Sequence, residues 1–572
     1  MKTMMSRIKR IGWSALLLIG PFVHGQEKND LGSIELQVIE RYKGRIAEAV
    51  KISRNADFID TTTHKLSVRY EVPIQTRQFE FRPKPLKPLT VAKASVSKLP
   101  LHHLRVGFGL YGLFTLQGSI ASDRSRKKQW GADLDMWSVQ NGIGDLAYPS
   151  NPHRQMRLSA HMKNILSRGK WALKNKVEGG HEGISYYGLP SSWATNILLP
   201  DDAAPERRNY YGLSYAGELK LLKVPGSSSH LRRIGIDYGF FSDDIKSSEH
   251  RFSVDQNAVI DLSGQALDLG ASADFLRTEL PENSFQGLRL YRLGAEPSIQ
   301  SSYGDLEFTI GVKAGAFGRR SDSLEGGKNG IYLLPDLRAA YSFVPTYFRV
   351  FAEWSGDVSL NSFEELVKGN PFISSARMDQ QVSRRTWVEG GMEGRIIDHL
   401  RFRAYARFTL ADQMPLYFRL PGELPNMGMA VLYDDMDIGS LRGELSYKKA
   451  DWDLSGWIQW DSYDTDSAFA AYHLPEFRLG LSGTYRLNSQ METGLRLTHI
   501  GKRTAFRPDP AIKQIANELA GYIDLGLQFK YAYNDYLTAH LNLDNVLGQS
   551  YDIWLGYPSV GFMASLSVSY RF

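Results

Sequence analysis

Residues 519–531, LAGYIDLGLQFKY, alternate apolar and polar side chains near the C-terminus of the chain. Successive side chains of a β-strand point to opposite faces, so one face of this segment is apolar and the other is polar. Residues 537–544, LTAHLNLD, repeat the arrangement after the short turn Asn534-Asp535. Two such segments joined by a tight turn predict a β-hairpin with one face toward lipid and the other toward water.

The same unit, a run of alternating residues followed by a turn, repeats from about residue 103 to the C-terminus. Short connections, such as 449–451 and 488–490, are interleaved with long ones, such as 358–381 and 412–435. Outer-membrane barrels connect their strands by short periplasmic turns and long extracellular loops. We therefore predict an all-β fold, a transmembrane antiparallel β-barrel of about 22 strands over residues 102–572.

A soluble β-propeller or β-sandwich would also show alternating strands. Its large core would favour Val and Ile over the Gly, Tyr and Phe that are abundant here. The charged side chains on the second face of many strands also favour a water-filled barrel lumen over a dry core.

The N-terminus predicts export. The first ten residues contain four basic side chains and no acidic one, and a short apolar run over residues 11–23 follows them. This is the pattern of a secretory signal peptide, residues 1–25. The small residue Gly25 and the position of Val23 fit a cleavage that leaves Gln26 as the mature N-terminus.

Composition excludes several classes of protein. The chain contains no cysteine, so it has no lipid-attachment site, disulfide framework or thiolate metal site. Four of the positive charges behind the formal net charge of +6 lie in the predicted signal peptide, so the mature chain is nearly neutral and predicts no nucleic-acid partner. After the signal peptide no apolar run is long enough for a membrane-spanning helix.

Residues 26–101 predict a short N-terminal periplasmic segment. Apolar residues over 34–52 fit one short amphipathic helix, and residues 65–83 read as an extended stretch. Pro83, Pro85 and Pro88 then introduce residues without an amide hydrogen, which predicts a linker over 81–101.

The last strand carries a pattern of its own. Its apolar face ends on the C-terminal residue and consists of Leu566, Val568, Tyr570 and Phe572. A terminal aromatic residue with apolar residues at every second position before it is typical of the signal that barrels present to their insertion machinery.

The C-terminal region resembles that of TonB-dependent receptors. The resemblance lies in residues 541–551 (LNLDNVLGQSY), in Gly556-Tyr557-Pro558 and in the closing residues 568–572 (VSYRF). It implies an outer-membrane barrel of 22 strands that binds or transports a solute. The sequence departs from the family in having no plug domain of the usual size and no evident TonB box, so a plug, lid or periplasmic partner protein is an expected partner besides outer-membrane lipid.

One strand predicts basic side chains in the lumen. Arg401, Arg403 and Arg407 share its polar face, and Phe402, Ala404, Ala406 and Phe408 occupy the other. They could attract an anionic solute, or they could pair with lumenal Asp and Glu.

Other polar groups carry a weaker signal. Asp434, Asp435 and Asp437 could bind calcium, but no glycine turn or spaced glutamate completes a calcium loop, and a solvated acidic patch on an extracellular loop is the preferred interpretation. His161 and His540 on predicted lumenal faces, and His181 and Glu182 in a predicted loop, could in principle transfer protons. No nucleophile accompanies them at a catalytic spacing, so we expect neither an enzyme nor a metal or cofactor.

The sequence as a whole predicts a transport or receptor barrel of a Gram-negative outer membrane. A structural or accessory subunit of an outer-membrane complex is the first alternative, and an outer-membrane hydrolase is the second. A barrel this wide would leak unless loops, the N-terminal segment or a partner filled it.

Overall fold

The strands follow the alternating segments of the sequence. The computed structural model describes residues 101–572, except for 123–126, 141–142, 145, 147–152, 167–170, 189–205, 222–230, 263–264, 281–286, 323–326, 376–377, 420–427 and 508–514. The chain divides into two compact units, Met1–Lys93 and Ala94–Phe572, and every described residue lies in the second. The predicted signal peptide and the periplasmic segment up to residue 100 lie outside the described residues and stay predictions.

Twenty-two of the strands form one sheet. Numbered in chain order, they are β1 (His102–Gly109), β2 (Phe114–Ala121), β3 (Lys128–Val139), β4 (His153–Leu166), β5 (Trp171–Ser185), β6 (Arg207–Leu221), β7 (Leu231–Asp243), β8 (Ser248–Leu262), β9 (Gln265–Glu279), β10 (Leu288–Tyr303), β11 (Leu306–Arg320), β12 (Lys328–Val344), β13 (Phe348–Leu360), β14 (Val382–Ile397), β15 (Leu400–Arg419), β16 (Met429–Lys449), β17 (Trp452–Thr465), β18 (Phe477–Arg486), β19 (Met491–Ile500), β22 (Tyr522–Ala532), β23 (Leu537–Asp544) and β26 (Met563–Arg571).

The sheet closes into a barrel. Each strand pairs antiparallel with the next one of the sheet, and β26 pairs antiparallel with β1, for example Tyr570 opposite Leu104 and Leu566 opposite Phe108. Closure removes both free edges, so the backbone hydrogen bonds of the sheet are made within the barrel itself. The predicted count of about 22 strands is confirmed.

The two faces of the barrel differ as the alternation predicts. Leu566 and Val568 of β26 have 59% and 44% of their surface exposed, as side chains on the lipid side of a barrel do. Ser567, between them, is 3% exposed and accepts a hydrogen bond from Nε of Arg105 at 2.8 Å. The apolar face therefore points outward and the polar face points into the lumen.

Connection length separates the two ends of the barrel. Both ends of the barrel chain, His102 and Phe572, lie at the end with short turns such as 398–399 and 450–451. The long connections 361–381 and 501–521 lie at the other end, which the pattern of outer-membrane barrels makes extracellular. The predicted long loop 412–435 is wrong, because β15 and β16 pair as far as Arg419 opposite Met429 and leave only 420–428 between them.

Small elements fill the long connections. Two hairpins, β20 (Arg503–Arg507) with β21 (Ile515–Leu519) and β24 (Asp552–Trp554) with β25 (Tyr557–Pro558), stand apart from the barrel sheet. A 3-10 turn covers Leu110–Gly112 in the short connection between β1 and β2, and an α-helix, α1, covers Phe363–Gly369. In the described part of the chain no helix is long and apolar enough to cross a membrane.

The hairpins correct one detail of the sequence interpretation. Leu519 belongs to β21 and not to the barrel strand β22, although it continues the alternation of that strand. Trp554 lies in β24, where its ring packs against Tyr417 and His473. Trp452 and Tyr531, with 44% of their surface exposed, do lie on the lipid side near strand ends.

Candidate functional site

The connection between β13 and β14, residues 361–381, turns inward at the extracellular end, and we call it the cap. Its helix α1 begins at the N-cap Ser362, whose side chain accepts a hydrogen bond from the backbone amide of Glu365 at 3.0 Å. Acidic residues in the first turn and Lys368 in the last complement the helix dipole. Phe363 and Leu366 lie on the buried side of the helix, as an i, i+3 spacing requires.

A buried glutamate of the barrel wall holds the start of α1. Glu249, on the lumenal face of β8, accepts hydrogen bonds from the amides of Phe363 and Glu364 at 2.5 and 3.3 Å. It also accepts from Nε2 of Gln380 at 2.9 Å and from Oγ1 of Thr278 at 3.0 Å. Four donors compensate the carboxylate for its loss of water, so both ends of the cap are tied to one group.

A buried ion pair holds the middle of the cap. Arg208 of β6 donates to the carboxylate of Asp243 of β7, and both side chains are almost fully buried. The same guanidinium donates to Oγ of Ser375 at 2.6 Å and to the carbonyl of Ile373 at 3.4 Å. Two of the partners of Arg208 thus belong to the cap.

An aromatic core joins the cap to the connection between β23 and β26. Phe372 of the cap stacks on Tyr557 of β25 with ring centroids 3.8 Å apart, and Tyr557 is fully buried. Arg419 donates to the carbonyls of Gly188 and Leu555 at 2.7 and 3.1 Å, which ties the connection between β5 and β6 to this core as well. The core comprises Ile184, Tyr186, Tyr187, Tyr210, Phe241, Leu280, Phe363, Leu366, Val367, Phe372, Ile373, Met378, Val431 and Tyr557.

These contacts place the cap across the extracellular mouth. Tyr210 and Asp243 lie on the lumenal faces of β6 and β7, strands that are not neighbours of β13 or β14. In a closed barrel a connection of β13 reaches those faces only by crossing the opening. The sequence alone leaves open what fills the lumen, and in the described residues a loop of the barrel itself occupies the extracellular mouth.

A cavity of about 780 Å³ lies on the lumenal side of the cap. Phe372 and Trp554 contribute apolar surface to it, and Arg105 and Arg496 line its wall. Arg496 is paired with Asp544 at 2.9 Å, and Arg105 donates to Ser567. The cavity combines aromatic surface with one ion pair and one further guanidinium, that of Arg105, as a site for a polar organic solute requires.

The predicted basic ladder on β15 is largely neutralised. Nε of Arg407 donates to Glu389 at 2.7 Å, and Nη2 of Arg403 donates to the same carboxylate at 3.3 Å. Glu389 is 3% exposed, and Arg403 also lies 3.9 Å from Glu393. Pairing with lumenal carboxylates, the second of the two interpretations from sequence, thus describes these two arginines. Contact of the ladder with a solute stays a prediction.

The third member of the ladder differs. Arg401 lies directly opposite Arg395 of β14, and the two line one cavity of about 700 Å³ at the periplasmic end of the lumen. In the described part of the chain neither makes an ion pair. Arg395 was not predicted from the sequence, because a β-bulge between Arg395 and Ile397 shifts the register by one residue, and this shift places Arg395 opposite Arg401.

The other polar candidates serve the fold. Asp434 accepts hydrogen bonds from the amides of Ser467 and Ala468 at about 3 Å, so it holds the connection between β17 and β18 and is not a solvated loop residue. Asp435 accepts from the amide of Gln413 at 2.9 Å. Among the described residues no group of three or more His, Asp or Glu side chains is arranged to bind a metal.

The histidine candidates are not brought together. His161 lies 3.8 Å from Asp133, and His540 is 3.0 Å from Oγ of Ser569. The sequence predicts His181 and Glu182 in a loop. They lie within β5 instead, because that strand continues to Ser185.

Comparison with solved structures shows the same barrel fold. The FrpB iron transporter of Neisseria meningitidis (F5-1 variant) is 12% identical, with a TM-score of 0.64 over 83% of this chain and 83% of that one. The ferric-catecholate import receptor Fiu of Escherichia coli K12 is 10% identical, with a TM-score of 0.59 over 83% and 82%. The ferripyoverdine receptor of the outer membrane of Pseudomonas aeruginosa is 12% identical, with a TM-score of 0.57 over 83% and 72%.

No protein-family model matches the chain, and no curated protein matches it. At these identities the structural likeness shows the fold alone. That fold is the one that the C-terminal resemblance implied, the 22-stranded barrel of TonB-dependent receptors.

Proposed function

We propose that this chain is an outer-membrane barrel that binds a solute and transports it through its lumen, with the cap as the closed extracellular gate. The observation that carries the proposal is the cap itself. A barrel that served only as a scaffold would need no shaped closure, whereas a transporter must prevent leakage between transport events. The lumenal wall below the cap bears charged side chains and a cavity, as a polar solute requires.

The structural neighbours support solute transport as the class of function. They are an iron transporter, a ferric-catecholate import receptor and a ferripyoverdine receptor of the outer membrane, and none of the three is named as an enzyme. Uptake of a solute, without catalysis, is the function that we carry over from them. Residues 26–101 would stand on the periplasmic side, and the lipid-facing side chains of β26 would present the barrel to the insertion machinery.

Planar-bilayer recordings test the gate. Leu360 and Val382 lie opposite each other, so a turn of about four residues can replace residues 363–380 without disturbing the strands. We expect the intact protein to show little current and the shortened protein to show stable open channels. Arg208→Ala should give brief openings, because removing one partner of a buried ion pair costs about 3–5 kcal/mol.

Arg277→Ala is the matched control. Arg277 pairs with Glu279 near the same rim, but both side chains are exposed, and among the described residues neither makes a hydrogen bond or an ion pair with the cap. It should conduct like the intact protein. If the shortened barrel never conducts, the lumen is sealed elsewhere, and the accessory-subunit function replaces transport. If the intact protein already conducts freely, the cap is not a gate.

A further inference from the structure

Two adjacent rows of lumenal side chains run across strands β13 to β18 at the periplasmic end. The upper row, which we call the paired row, alternates in charge. Its members lie directly opposite one another on successive strands and are Arg349, Glu393, Arg403 and Glu444. Arg349 also donates to Glu307 at 2.6 Å, and the distance from Arg349 to Glu393 is 3.4 Å. Neighbouring opposite charges stabilise such a row.

The next row toward the periplasm, which we call the basic row, has a different composition. On successive strands it contains Arg395, Arg401, Ser446, Ser455 and Ser482. The row has two guanidinium groups and three hydroxyls, and it has no carboxylate. The hydroxyls of Ser455 and Ser482 lie 2.7 Å apart.

The position of the two arginines is unfavourable on its own. Side chains directly opposite each other in an antiparallel pair have Cβ atoms about 5 Å apart, and like charges there are destabilising. Arg395 and Arg401 occupy such a pair, whereas the row beside it places an acid opposite each arginine. An anion between the two guanidinium groups would convert the repulsion into attraction.

The cavity beside the basic row has room for that anion. Its volume is about 700 Å³, and five arginines line it against three glutamates. Arg442, the fifth arginine, pairs with Glu444 at 2.6 Å and packs over the ring of Trp457. The excess positive charge of the cavity therefore resides on Arg395 and Arg401.

We propose that Arg395 and Arg401, with the hydroxyls of Ser446 and Ser455, form a binding site for an oxyanion group of the transported solute. The site deepens the proposed function, on which it rests, by naming a carboxylate or phosphate as the group recognised. A guanidinium donates two parallel hydrogen bonds to either group, and serine hydroxyls donate further bonds. At the periplasmic end the site holds the solute on the inner side of the gate.

Calorimetric titration of the intact, detergent-solubilised protein tests the site. Pyrophosphate and citrate serve as probes in a buffer of low salt without phosphate, and they separate a preference for phosphate from one for carboxylate. We expect at least one of them to bind, and to bind more weakly as KCl is raised. Arg395→Gln with Arg401→Gln should weaken binding by about tenfold or more.

Arg157→Gln is the matched control, because Arg157 of β4 is a lumenal arginine paired with Glu178 at 3.3 Å and lies outside the basic row. It should bind the probe as the unmodified protein does. Arg395→Lys with Arg401→Lys keeps the charge but loses the bidentate geometry. The affinity of this variant for the probe should therefore lie between that of the unmodified protein and that of the double Gln variant.

Thermal unfolding supplies a second measurement, because an anion-binding role and a structural role of the two arginines predict opposite shifts of the unfolding temperature. Without anion the double Gln variant should unfold at a higher temperature than the unmodified protein, because the repulsion is gone. The probe should raise the unfolding temperature of the unmodified protein and leave that of the variant unchanged. A structural role for the two arginines would lower the stability of the variant instead.

The proposal is overturned if neither probe binds at low salt, or if the double variant binds both probes as the unmodified protein does. Calorimetry detects binding whether or not the barrel conducts ions. The result of the titration is therefore independent of the result of the gate experiment. A barrel that binds pyrophosphate but never conducts retains the site and loses the transport function. A conducting barrel that binds neither probe loses the site alone.

Discussion

Glu249 and Arg208 are charged side chains held away from water where the cap meets the barrel wall. Burying a charge is costly, and a buried ion pair often adds little stability over apolar residues of the same size. Each of these groups is instead bonded to several specific donors or acceptors of the cap. A cap that shifted by one residue would leave them unsatisfied, so their role is to select one closed position.

The pKa of His473 predicts a response to acid at the extracellular end. His473 lies in the connection between β17 and β18, buried against Trp554, and burial together with the nearby Arg503 lowers its pKa to about 3. Below the ordinary value of 6.5 an opened loop gains a proton that the folded loop excludes. The free energy of opening should therefore fall as the pH drops from about 6.5 toward 3, and it should not depend on this group above 6.5.

Hydrogen exchange of residues 466–476 at pH 7.5 and 4.5 measures this effect. The comparison protein is His473→Asn, because position 473 has a φ of 64° and asparagine tolerates that left-handed conformation. The variant loses contact with Trp554 and should exchange faster at both pH values. Its ratio of the two rates should be smaller than that of the unmodified protein, and an equal ratio would assign the acid response to other groups.

For single residues, the sequence predicted which face of a strand a side chain occupies, but not which side chains it pairs with. Arg401, Arg403 and Arg407 were correctly assigned to one face of one strand by their spacing. Which of them is neutralised depends on Glu389 and Glu393 of β14. Their register is set by the turn at 398–399 together with the β-bulge between Arg395 and Ile397, and an alternation pattern read strand by strand contains neither.

The elements differ in how far the sequence determines them. The barrel strands were predictable because each one repeats a period of two against two uniform environments, lipid and water. Helix α1 also has local signals, Ser362 followed by Glu365 and an apolar i, i+3 pair. Its inward position was not predictable, because it depends on Glu249 and Arg208, which lie more than a hundred residues earlier in the chain.

The last strand carries a prediction about assembly. Phe572 exchanges two backbone hydrogen bonds with His102, at 3.0 and 3.1 Å, and its ring lies 5.6 Å from that of Tyr570. We expect Tyr570→Ala with Phe572→Ala to reduce the amount of heat-modifiable barrel in the outer membrane several-fold, while synthesis is unchanged. The two substitutions remove the aromatic groups at the strand end where the barrel closes.

Tyr303→Ala with Tyr533→Ala controls for the loss of two aromatic residues at the same end of the barrel. Tyr303 and Tyr533 have 84% and 63% of their surface exposed, close to short periplasmic turns. That variant should assemble normally. If both double variants assemble equally well, the aromatic residues of β26 are not a recognition signal in this chain.

At the scale of the whole molecule, the cap and the predicted periplasmic segment would act as two barriers along one path. The barrel closes its hydrogen bonds between β1 and β26, so removing residues 26–101 should leave it folded. Barriers along one path add as resistances in series, and the larger resistance sets the current. The effect of removing either barrier therefore depends on whether the other is present.

Four proteins measured in planar bilayers test this coupling: the intact chain, the chain without residues 26–101, the chain with the shortened cap, and the chain with both changes. Removing 26–101 should change the current little while the cap is in place, because the closed extracellular mouth still dominates the resistance. In the shortened-cap background the same deletion should raise the conductance of each open channel. An equal conductance with and without residues 26–101 in that background would show that the segment does not obstruct the lumen. A large current from the deletion alone would show that the cap does not close the mouth, and the periplasmic segment would then be the gate.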